Sequence, residues 1–199
     1  MKTALLVIDV QNDFCLGGAL EVTDGADIVP LINAVMSRYE IICLTQDWHP
    51  PDHSSFAKNH PSKLPFESIE LNYGEQVLWP DHCVQGSKGA EFHPQLNTVP
   101  ADIIVRKGFN KAVDSYSAFF ENDRTTPTGL DGYLKTREVE NLHLVGLATD
   151  FCVAFSSLDA VTLGYKVNVL ERATKAIDID GSLALARKKM VAAGVILEH

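Results

Sequence analysis

Cysteine is scarce in this chain, and basic residues are outnumbered by acidic ones. The 199 residues contain four cysteines (Cys15, Cys43, Cys83 and Cys152), far apart and with no C-x-x-C pair. That pattern argues against a disulfide framework and a thiolate-rich structural zinc, and for reduced thiols in a cytoplasmic protein. Lys and Arg total 17 against 26 Asp and Glu, a net charge of −9, which argues against nucleic-acid binding because phosphate contacts need clustered cations. No apolar run approaches the roughly 18 residues of a membrane span. "MKTALLVIDVQND" reaches acidic residues too soon for a secretory signal. Repeats, low-complexity tracts and an internal domain boundary are also missing. What remains, at 46% hydrophobic and 22% charged residues, is the composition of an ordinary globular protein, with one domain's length and enough chain for a substantial core.

Apolar runs alternate with amphipathic ones. "TALLVIDV", "EIICLTQD", "ADIIVRKG", "NLHLVGLA", "KVNVLERA" and the terminal "VIL" read as strands. "GADIVPLINAVMSRY", "DGYLKTREV", "DFCVAFSSLDAVTLG" and "SLALARKKMVAAG" read as helices. Repeated β-α-β units predict an α/β fold: a mostly parallel central sheet with helices on both faces, in three α/β/α layers. Residues 48–100 are too long for a plain connection, and their aromatics, histidines and prolines predict an ordered cap inserted over the strand ends. Ligands in such sheets bind beyond the carboxyl ends of the strands. The residues that carry chemistry fall there: Asp9 after strand one, Asp47 and His49 after strand two, Lys107 after strand three, Cys152 after strand four.

Two constellations emerge. Cys152 begins a helix, where unpaired N–H groups and the helix dipole favour a thiolate and can hold an oxyanion. Asp9 and Lys107 supply a base and a positive neighbour. The second constellation starts at "TQDWHPPDHSSF", where Asp47 and His49, one residue apart on extended chain, face the same way. His53, His60 and His82 are further imidazoles, His82 standing in a turn beside Trp79. Oxygen and nitrogen donors of this kind suit Zn²⁺, Mn²⁺ or Fe²⁺. Spacing alone leaves the metal open, and an iron oxygenase or a metal-stabilised binding module open with it.

Read together, "LLVIDVQNDF", "TQDWHPPDHSSF", "WPDHCVQGSKGAEFHP", "VRKGFN", "DSYSAF" and "LVGLATDFCV" resemble the nicotinamidases (nicotinamidase/pyrazinamidases) among the isochorismatase-like cysteine hydrolases, collinearly from about residue 3 to 194. The resemblance implies a catalytic triad of Asp9, Lys107 and Cys152, with an oxyanion hole from the N–H groups of Ala148 and Cys152 after a cis Leu147–Ala148 peptide. It implies metal ligation by Asp47, His49 and His82, with His53 as an optional fourth ligand, and zinc ahead of iron or manganese. Phe14, Leu20, Trp79 and Tyr116 match residues of the family's pocket. The activity implied is hydrolysis of nicotinamide to nicotinate and ammonia through a thioester, with pyrazinamide as a second substrate and NAD salvage as the setting. A carbamoyl-amide hydrolase and an isochorismatase are the nearest alternatives, disfavoured by the metal insert and by Cys152 respectively. Monomer and homo-oligomer both remain open.

Overall fold

The computed structural model of the protein describes residues 2–199. Its centre is a six-stranded sheet of β1 (Lys2–Ile8), β2 (Ile41–Asp47), β5 (Ile103–Lys107), β6 (Val139–Leu147), β7 (Lys166–Lys175) and β8 (Ile196–Glu198). All five pairings in it are parallel, in the order β5-β2-β1-β6-β7-β8. The chain builds outward from β1 to one edge, then returns to add β6, β7 and β8 on the other side. Strand order therefore reverses between β1 and β6, and the crevice of a doubly wound sheet opens at that point.

Period-two alternation sends β1 side chains to two cores. Ala4, Leu6 and Ile8 pack with residues of α2 (Leu130–Thr136), α3 (Ala154–Thr162) and α4 (Ser182–Ala192). Leu5 and Val7 pack against Ile32 and Met36 of α1 (Val29–Met36) and against Trp79, Cys83 and Leu96 of the long insertion. Both faces are thus covered, as predicted, though on one of them the insertion shares the work with a single helix. Gly146 is required where β6 meets β1: at φ +116°, a Cβ there would lie 2.1 Å from the Ile8 carbonyl oxygen.

Three boundaries differ from the sequence reading. The helix over "DGYLKTREV" starts one residue earlier and stops early, at Leu130–Thr136, because Val139 already begins β6. Residues Thr149–Val153 form a π-helical turn that precedes α3, so Cys152 sits in that turn and not in regular helix. The insertion is ordered and contains an unanticipated antiparallel hairpin, β3 (Ser68–Leu71) with β4 (Gly74–Val77). A two-residue turn "NY" joins these short strands, too brief for alternation to stand out.

Candidate active site

The sheet brings its strand-end residues together at the switch point. Asp9 leaves β1 with φ +49° and is fully buried, as is Lys107 at the end of β5. Lys107 Nζ lies 2.8 Å from Asp9 Oδ2 and 2.5 Å from Asp47 Oδ1. It donates to the Ser115 carbonyl at 2.9 Å and to Cys152 Sγ at 3.5 Å. Thr45 on β2 donates its hydroxyl to Asp9 Oδ1 at 2.6 Å. The other oxygen, Oδ2, is paired with the Lys107 ammonium. An Asp9 carboxylate oxygen also lies within 4.8 Å of Cys152 Sγ, so the carboxylate neighbours the thiol. Gln11, fully buried, braces the arrangement: it donates to the Asp47 carbonyl at 2.8 Å and accepts from the Asp47 N–H at 2.7 Å.

Burial dominates the electrostatics. It pushes the Cys152 thiol well above its ordinary pKa despite the Lys107 ammonium, and Asp9 and Asp47 push the same way. Asp9 is also raised by burial, against the pull of Lys107. Burial would raise Asp47 too, but Lys107 and His49 hold it well below the carboxylate range. For Lys107 burial acts downward, and the two carboxylates overcome it, so the ammonium stays charged. The resting site therefore holds a neutral thiol beside a carboxylate of raised basicity, the pairing a general base needs.

On the far side of Asp47 stand two imidazoles. Asp47 Oδ2 lies 3.5 Å from His49 Nε2 and 3.8 Å from His82 Nε2, all three side chains buried. His49 Nδ1 is 2.8 Å from the Gly108 carbonyl, and His82 Nδ1 is 2.9 Å from that of Pro80. A backbone acceptor at Nδ1 turns each Nε2 toward Asp47, where a protonated ring donates to the carboxylate and a neutral one offers its lone pair to an ion. Two buried carboxylates share one ammonium, which leaves negative charge to be neutralised. One carboxylate and two imidazoles so disposed fit a divalent ion with mixed oxygen and nitrogen preference. Gly108 makes room for the His49 ring: at φ +65°, a Cβ there would lie 2.4 Å from His49 Cε1.

His53 falls in a second group, with His49 and Asp114. Its Nδ1 is 2.7 Å from Ser55 Oγ and its Nε2 3.4 Å from the Val113 carbonyl. Burial pulls its pKa down to about 4, although Asp114 opposes the shift. His60 instead contacts the Ser54 carbonyl at 2.6 Å.

Between the thiol and His82 lies a narrow cavity of about 20 Å³ lined by Phe14, Leu20, Trp79, Tyr116 and Ala148, with Asp47, His82 and Cys152 in its wall. Its lining is mostly aromatic and aliphatic with a few polar groups among them, the make-up of a site for a small flat organic molecule. The Leu147–Ala148 peptide is cis. Three further lining residues escaped the sequence reading: Asp114, Phe151 and Ile177. Phe151 precedes the cysteine, and its ring stands edge-on to Trp79 at 4.9 Å. Ile177 comes from the loop after β7, whose N–H groups at Ile177 and Asp178 donate to the buried Asp150 carboxylate at 3.0 and 2.8 Å. Only Phe151 had a local signal, an aromatic beside the nucleophile.

Comparison with known proteins shows what the chain is similar to. The isochorismatase domain model matches residues 3–198. A curated nicotinamidase of Acinetobacter baylyi is 53% identical over 192 residues, 96% of this chain and 90% of that protein. Among solved structures, the Acinetobacter baumanii nicotinamidase/pyrazinamidase superposes with a TM-score of 0.98 at 55% identity, covering 100% of this chain and 96% of the other. An L. infantum relative in complex with nicotinate matches at 0.87 and 37%, covering 98% and 91%. A Pyrococcus horikoshii pyrazinamidase in complex with zinc matches at 0.80 and 31%, covering 99% and 98%. With a family model spanning nearly its whole length and a curated nicotinamidase more than half identical to it, this chain belongs to the isochorismatase family.

Proposed function

We infer that the chain is a nicotinamide amidohydrolase, converting nicotinamide and water to nicotinate and ammonia, and that Cys152 is its nucleophile. The carrying observation is the buried contact of Lys107 with Asp9, Asp47 and Cys152, the last two in the wall of a narrow cavity lined by aromatic rings. Asp9 takes the thiol proton as Sγ attacks the carboxamide carbon, and Lys107 holds the charge that moves between them. The new oxyanion rests on backbone N–H groups of Ala148 and Cys152 at the head of α3. Collapse breaks the C–N bond, with Asp9 returning its proton to the leaving nitrogen. Asp9 then takes a proton from the water that attacks the thioester, and nicotinate leaves as the thiol reforms.

Phe14, Leu20, Trp79 and Tyr116 enclose the ring, with residues 48–100 as the cap that carries Trp79 and the histidines. Asp47, His49 and His82 hold one divalent ion, zinc by the relative's precedent, which when bound supplies a Lewis acid for the pyridine nitrogen. Pyrazinamide, with a similarly placed ring nitrogen and carboxamide, is a second substrate. The test is ammonia release from nicotinamide by wild type and Cys152→Ala, each assayed for bound metal. Turnover confined to wild type, with metal in both, is expected. Near-normal turnover by the variant sinks the thiol mechanism.

A further inference from the structure

The β3–β4 hairpin is exposed or half-exposed except at one residue, and that residue is an amide. Gln76 is fully buried. An inward amide is costly unless its hydrogen-bonding groups are met. Here they are met by five partners, two of which, Asp114 and Tyr116, are walls of the cavity. Oε1 accepts from Tyr73 Oη at 3.0 Å and from Asn122 Nδ2 at 3.2 Å. Nε2 has acceptors at Val77 O (2.7 Å), Asp114 Oδ2 (2.8 Å) and Tyr116 Oη (3.0 Å). Tyr116 Oη also accepts from Trp79 Nε1 at 3.0 Å, so two N–H donors pin the phenol oxygen from two directions. Asn122 adds a second link, because its Oδ1 accepts the Tyr116 N–H at 3.1 Å.

We propose that Gln76 is a positioning residue, through which the β3–β4 hairpin sets the Tyr116–Trp79 wall and hence the fit of the substrate ring. Gln76 does not itself line the cavity; three residues that do, Asp114, Tyr116 and Trp79, are bonded to it or one bond removed. The Trp79 and Tyr116 rings meet at 86°, and each also meets Phe151 edge-on. A tilt of the phenol is therefore passed to the other two faces of the cavity. The inference rests on the pocket assigned above, and it makes the hairpin a determinant of ring affinity with no part in bond breaking.

The experiment is a double-mutant cycle with steady-state nicotinamide kinetics on the metal-loaded enzyme. Gln76→Met keeps length and packing but removes every hydrogen bond, and Tyr116→Phe removes the phenol oxygen. Each single change is expected to raise KM about three- to tenfold, the worth of one or two buried hydrogen bonds, with kcat within about twofold of wild type. The double variant is expected to fall short of the product of the two single effects, because part of what Gln76 does passes through that oxygen. Gln76→Asn, too short to reach Tyr116 and Asp114 together, gives the same reading should the Met variant not fold. Unchanged KM with a lowered melting temperature, or effects that multiply, would overturn the proposal. A Tyr116→Phe variant of unchanged KM removes the pocket assignment and the proposal with it. A raised KM there beside an unchanged one for both Gln76 variants removes the proposal alone.

Discussion

Replacing Thr45 by valine probes the base without touching any reacting atom. Thr45 is fully buried; its hydroxyl donates to Asp9 Oδ1 at 2.6 Å and accepts the Asp9 N–H at 3.2 Å. Valine keeps the shape and deletes both bonds, leaving a buried carboxylate oxygen and a buried N–H unpaired. A hydrogen bond to a charged group contributes about 1.5–3 kcal/mol, and for a chain of this length each kcal/mol moves Tm by about 2–4 °C, so a drop of roughly 3–12 °C is expected. The second consequence is functional. The Thr45 bond is one of the influences that lower the Asp9 pKa, against the burial that raises it. Without it the carboxyl protonates at higher pH. Because Asp9 must be ionised to take the thiol proton, activity that fades as pH falls should fade earlier, so the acid limb of kcat/KM moves to higher pH. Ammonia release across pH 4 to 8 on the order of half-unit steps, with thermal melts at neutral pH, reads both effects. A Thr45→Val enzyme with wild-type Tm and an unmoved acid limb would refute Asp9 as the base.

Other changes test the metal half. Gly108→Ala places a methyl 2.4 Å from His49 Cε1 and should displace that ring, weakening divalent-ion affinity about 10–100-fold in a chelator competition although no ligand is altered. Wild-type affinity in that variant would mean that His49 is not a ligand. His82→Ala should lower metal content and nicotinamide turnover together while the chain stays folded by circular dichroism. Full metal occupancy after loss of His82 would count against the ligand set.

The fold class and the strand-end chemistry were legible because both are encoded locally. Short apolar runs mark buried strands, β-α-β alternation makes the sheet parallel, and a parallel sheet gathers its carboxyl ends on one edge. Asp9, Asp47, His49, Lys107 and Cys152 could therefore be grouped without knowing any distance. The collinear motifs added His82, Trp79 and Tyr116, which no periodicity places near the others.

Tertiary structure alone decided which groups touch. Thr45 reads as one more strand residue until the parallel register pairs Val7 with Leu44 and carries its hydroxyl to Asp9. His53, which the resemblance offers only as an optional ligand, shows in the sequence none of the partners the fold gives it: Ser55, Val113 and Asp114. Gln76, Asp114 and Ile177 lie in three segments far apart in sequence that meet only when the insertion and the loop after β7 close over the switch point. The physical reason is the same for each. A single side chain carries no one-dimensional signal of its partner, whereas burial and hydrogen-bond satisfaction are properties of the closed chain.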